Sequence, residues 1–111
     1  MTHSKAQKGC KEWNPRANLA SIHSQAEHDK LLQLLKQSDG TIAWIGGTDA
    51  GQEGKWRWVD GSKLSWTKWY PGEPNNLRGD EHCMHLLGNA WVKNVWNDAP
   101  CQRQYLYICK L

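Results

Sequence analysis

The sequence predicts an α+β fold, and three observations carry that prediction. Helical periodicity is confined to the first third of the chain, where Leu31, Leu32, Leu34 and Leu35 follow a capping signature. From Gly40 onward the pattern changes to short apolar runs separated by turn residues, and helices followed by strands make an α+β chain. Eight Trp and three Tyr with no Phe, beside ten Gly and four Pro, describe a core of amphipathic rings in a loop-rich chain. At 111 residues the chain suffices for one domain, 1–111, and not for two.

In chain order, the residues up to about Cys10 form the end of a helix that Asn14 and Pro15 break. Leu19 to Ile22 reads as a short extended segment. Ser24 and Glu27 then make a capping box ahead of a helix over Gln25 to Gln37, whose Leu spacing marks a core face. A strand over Ile42 to Ile45 is expected to close at Gly46 and Gly47, and Trp56 and Trp58 alternate before the turn at Asp60 and Gly61. Ser62 to Asp80 carries Pro71, Gly72, Pro74 and Gly79 and reads as a long ordered loop, of the kind that usually serves a function. Strands are expected again over Cys83 to Leu87, Trp91 to Val95 and Tyr105 to Cys109, with a turn at Gly88 and Asn89.

Charge excludes some partners. Fourteen Lys and Arg against eleven Asp and Glu give +3, but the cations are spread singly from Lys5 to Lys110, so no basic stripe points to nucleic acid. No stretch is apolar enough to insert in a membrane, and no signal peptide is present. Four cysteines can pair in three ways, and an even count suggests a secreted, oxidised protein whose leader is not part of this sequence. No esterase elbow flanks a serine, so an enzyme is not expected.

The chemistry concentrates between Glu73 and Asp98. Glu73, Glu81 and Asp98 supply carboxylates, Asn75 and Asn97 supply amides, and such hard oxygens suit Ca2+ better than Zn2+. The competing reading, a zinc site from Cys83 with His82 and His85, lacks a second Cys/His pair at finger spacing.

Trp44, Ile45, Gly46 and Gly47, the triplet Glu73, Pro74, Asn75, the triplet Trp96, Asn97, Asp98, and cysteines 10, 83, 101 and 109 together resemble the C-type lectin family. Asn18 to Ser24 and Trp44 to Asp49 look especially like fish secreted lectins and type II antifreeze proteins. The resemblance implies a fold of two helices, small antiparallel sheets and a long calcium-binding loop region, with Cys10 paired to Cys109 and Cys83 to Cys101. It implies Ca2+ as cofactor, held by Glu73, Asn75, Glu81, Asn97 and Asp98, the last also through its carbonyl, with a cis bond before Pro74 aiming the oxygens. The same five residues would bind the sugar. The order Glu, Pro, Asn resembles the mannose-type sites, whose glycans present mannose, N-acetylglucosamine or fucose through neighbouring hydroxyls.

A second calcium position maps onto Asp49, Glu53, Asn76 and Glu81, although His82 stands where an acid often completes it. The family usually has a strand ahead of its first helix, which is missing here, so the strand from Tyr105 to Cys109 is expected to present an unpaired edge through which the chain could form a homo-oligomer. Alternatives that share the scaffold are ice binding and sugar-independent binding of proteins.

Overall fold

The computed structural model describes residues 1–52, 54–69, 81–88 and 95–111. Helix α1 covers His3–Trp13: Thr2 caps it by accepting from the Lys5 N–H at 3.4 Å, and it runs past Cys10 to stop at Asn14. Its inward face is His3, Ala6 and Cys10. Strand β1, Asn18–Leu19, is shorter than the extended segment expected. Helix α2 occupies Gln25–Gln37, as its caps foretold. Ser24 Oγ accepts from the Glu27 N–H at 3.2 Å, while the Glu27 carboxylate reaches one residue beyond the reciprocal capping position to accept from the His23 N–H.

Strand β2 is Ile42–Thr48 and does not close at the glycines: it runs straight through Gly46 and Gly47. Both are sites of close approach, not turns. A Cβ on Gly46 would lie 2.6 Å from the Leu19 carbonyl oxygen, and one on Gly47 would meet the Met84 side chain. The register against β4 slips between Trp44 and Thr48, a bulge that lets the strand accommodate these contacts. Strand β3 is Arg57–Trp58 and β4 is Cys83–Leu87, the latter as expected.

Strand β5 is Val95–Ala99, so it begins where the sequence reading ended its strand; Trp91 to Asn94 lie outside the described residues. Trp96, Asn97 and Asp98 are therefore strand residues. The C-terminal strand is split into β6, Leu106–Tyr107, and β7, Cys109–Lys110, because the two halves have different partners. A sheet of order β3-β2-β4-β5 with β6 beside β2 forms the centre, and β1 pairs with β7 in a second sheet.

Alternation along β2 feeds two cores. Ala43 and Ile45 join Leu31, Leu32 and Leu35 of α2 with Trp58, Met84, Leu86 and Trp96. Trp44 faces the other way, to Ala6 and Cys10 of α1, Leu19, Cys83 and Ala99. Disulfides Cys10–Cys109 and Cys83–Cys101 form as the resemblance implied.

The edge expected to stand open from Tyr105 to Cys109 is largely paired. The Met1 amino group donates to the Tyr105 carbonyl at 3.2 Å, the Tyr105 N–H donates back to Met1 at 3.0 Å, and the Trp44 indole N–H also donates to the Met1 carbonyl. Leu106 and Tyr107, 50% and 37% exposed, are what remains of the edge.

Candidate metal centre

The antiparallel register gathers three strand ends. Thr48 at the end of β2 lies opposite Cys83 at the start of β4, and Cys83 lies opposite Ala99 at the end of β5. Asp49, Glu81, His82, Asn97 and Asp98 consequently occupy one end of the sheet, and the Cys83–Cys101 disulfide ties that end together. Glu53, Glu73, Pro74, Asn75 and Asn76 lie outside the described residues.

Of the five principal oxygens expected from the sequence, three are thus placed: Glu81 just ahead of β4, and Asn97 and Asp98 on β5. Asp98 is buried on the Met84 side of the strand, whereas Asn97 sits opposite His85. Neighbouring side chains of one strand can serve a common site only at an open edge, and among the described residues β5 meets a partner beyond β4 only at Trp96. The Asn97 Oδ1 accepts from the Asp98 N–H at 2.8 Å, which fixes the amide beside the carboxylate. A buried carboxylate demands donors or a cation, and carboxylate plus amide oxygen is the donor chemistry of a hard ion. Among the described residues no cluster of three or more His, Cys, Asp and Glu side chains is placed to hold a metal by itself.

The second position is arranged differently. Asp49 is 1% exposed, its Oδ1 lies 2.9 Å from His82 Nδ1, and its Oδ2 accepts from the Gly54 N–H at 2.9 Å. The His82 carbonyl accepts in turn from the Thr48 hydroxyl at 2.8 Å and from the Asp49 N–H at 3.2 Å. Both Asp49 oxygens are engaged by protein donors. Glu53 and Asn76, which the sequence also assigns to this position, lie outside the described residues. The zinc arrangement is not formed: Cys83 is in a disulfide, His82 is bonded to Asp49, and His85 is buried against Trp44 and Tyr105.

Sequence reasoning missed the support behind β5. Trp96 is wholly buried, its indole N–H donates to His28 Nδ1 at 3.1 Å, and its backbone N–H donates to Lys68 at 2.8 Å. Trp58, Trp66 and Trp69 pack on it edge-on, with centroids 5.4–5.9 Å away. His28 could have been found, since it precedes Leu31, Leu32 and Leu35 at the spacing of one helix face.

Comparison with known proteins bears on the family and the fold. A family model described as the lectin C-type domain matches residues 1–111. A "C-type lectin mannose-binding isoform" from Oxyuranus scutellatus is 38% identical over 105 residues, 91% of this chain and 65% of that protein. Among solved structures, the C-type lectin CEL-I from Cucumaria echinata superposes with a TM-score of 0.88 at 29% identity, over 98% of this chain and 81% of the other. A calcium-independent type II antifreeze protein superposes with a TM-score of 0.83 at 32% identity, over 98% and 77%. The chain thus spans just under two thirds of the length of the Oxyuranus scutellatus relative.

Proposed function

Because the chain belongs to the C-type lectin domain family, we propose that it binds carbohydrate at the sheet end holding Glu81, Asn97 and Asp98, with Ca2+ as the resident metal and mannose-type sugars as ligands. The observation that carries the reading is the occurrence of these three oxygen donors on adjoining strand ends, Glu81 being six residues along the sequence from Asn75. Calcium, when bound there, supplies coordination positions for two neighbouring hydroxyls of a sugar.

The chain's own residues supply the rest of the recognition. Carboxylates of Glu73 and Glu81 accept hydroxyl protons, and amides of Asn75 and Asn97 donate to hydroxyl oxygens. The order Glu73, Pro74, Asn75 supports the mannose class, and the mannose-binding name of the Oxyuranus scutellatus relative agrees with it. Two disulfides support an extracellular setting, and no described helix is long and apolar enough to cross a membrane. Although the scaffold is shared with antifreeze proteins, the hard-oxygen donor set favours the lectin reading.

Chromatography tests this. The protein should be retained on immobilised mannose with Ca2+, pass through immobilised galactose, and elute from mannose in excess chelator. Retention on mannose in chelator would overturn the mechanism, and preference for galactose would overturn the sugar class.

A further inference from the structure

The head of strand β4 is attached to the tail of β2 by more than the sheet ladder. Three bonds converge on His82: its ring on the Asp49 carboxylate at 2.9 Å, and its carbonyl on the Thr48 hydroxyl and the Asp49 N–H. Thr48 Oγ1 additionally accepts from the Ala50 N–H at 3.1 Å, so the turn leaving β2 is fixed to the same hydroxyl. The Asp49 carboxylate, buried to 1% exposure, is closed from the other side by the Gly54 N–H. The next residue toward the N-terminus from His82 is Glu81, a ligand of the proposed calcium.

We infer that the His82 imidazole stands where a second cation would, so that this chain binds one calcium ion and positions Glu81 through a histidine–aspartate hydrogen bond instead of through a second metal. The inference rests on the calcium-dependent reading above. Its physical basis is the ring's position against the carboxylate. One lone-pair site of Asp49 Oδ1 faces the His82 N–H and one of Oδ2 faces Gly54, so a cation ligated there would share the carboxylate with both donors and crowd the ring. It would also have to accept an imidazole, a nitrogen donor that hard cations use poorly, as its nearest neighbour. Displacing the ring would take from Asp49, the buried member of the pair, a donor that the fold supplies to it.

The bond also has a positive role. With His82 latched to Thr48 and Asp49, the backbone leading into Glu81 is held before any metal arrives. Coordination at the principal site then orders fewer groups, which favours tighter binding for the same ligands.

Counting calcium decides the matter. The chelator-treated chain is titrated with CaCl2 by isothermal calorimetry, and the bound ions are counted by native mass spectrometry. One ion per chain is expected. His82→Asp, which replaces the ring donor by another carboxylate beside Asp49, should raise the count to two. Two ions on the unaltered chain would overturn the inference while leaving the calcium reading intact. A folded H82D chain that still binds one ion would also overturn it. Absence of any calcium binding would overturn the calcium reading and this inference with it. Should circular dichroism show H82D unfolded, the count on the unaltered chain decides alone.

Discussion

At the scale of single residues, His85 is costly to place. Its ring is 5% exposed, lies between Trp44 and Tyr105, and neither nitrogen hydrogen-bonds to another described residue. Burial, reinforced by the Arg103 charge and only partly opposed by Asp98, pushes its pKa down to about 4. The unfolded chain, with its histidine near the ordinary value, binds more protons between about pH 6.5 and 4. Stability is therefore full above that window and falls as the pH drops through it. Linkage puts the loss from pH 7 to pH 5 at about 2 kcal/mol from this group. Urea denaturation in excess chelator, which removes the contribution of calcium, measures it. His85→Leu, which leaves no unpaired nitrogen, should lie within about 1 kcal/mol of the parent at pH 7 and abolish about 2 kcal/mol of the pH 5 loss. An unchanged pH profile would assign the loss to other groups, such as His3, which burial also pushes down despite its bond to the Ile45 carbonyl.

At the scale of elements, β2 organises the centre of the fold. Gly46 receives chain from two sides: its N–H donates to Ala20 at 2.8 Å, its carbonyl accepts from Val59 at 2.8 Å, and the Leu19 carbonyl fills the space where a Cβ would be. Gly46→Ala should cost about 3 kcal/mol by urea denaturation, since backbone, not a pliable side chain, must move. A loss below about 1 kcal/mol would show that β1 gives way easily. The same strand explains what the sequence could not disclose. Helix α2 was legible to the residue because Ser24, Glu27 and the Leu spacing are local signals. Gly46 and Gly47 read as a stop because a glycine required by a neighbour's backbone looks, in sequence, like a glycine required by a turn. Strand β5 runs on past the expected end at Val95 for a related reason: the polar pair Asn97 and Asp98 obscures strand residues whose place is set by pairing Met84 with Asp98 and His85 with Asn97. The division of β6 from β7 is likewise fixed by distant partners, one parallel to β2 and one antiparallel to β1.

At the scale of the whole molecule, two disulfides act over very different distances. Cys10–Cys109 joins α1 to β7 across a sequence separation of 99, and Cys83–Cys101 spans 18 at the metal end. By loop-closure entropy the first contributes about 4 to 5 kcal/mol and the second about 3 kcal/mol. Replacing Cys10 and Cys109 by Ala should therefore lower denaturant stability more than replacing Cys83 and Cys101. The reverse order would mean that the short bridge holds folded-state geometry as well as restraining the unfolded chain. Of the proposed site, Asn97 and Asp98 stood out in the sequence as part of the triplet Trp96, Asn97, Asp98, and Glu81 as a carboxylate two residues ahead of Cys83. The attachment of His82 to Asp49 was not legible, because it depends on the end of β2 meeting the start of β4 in register. One more property follows from the tryptophan cluster behind β5. Trp96 touches three other indoles within 6 Å and is the residue immediately before Asn97. Chromophores so close share their excited states, so the protein carries its own optical reporter: a shift of β5 would appear in its near-ultraviolet circular dichroism without any attached dye.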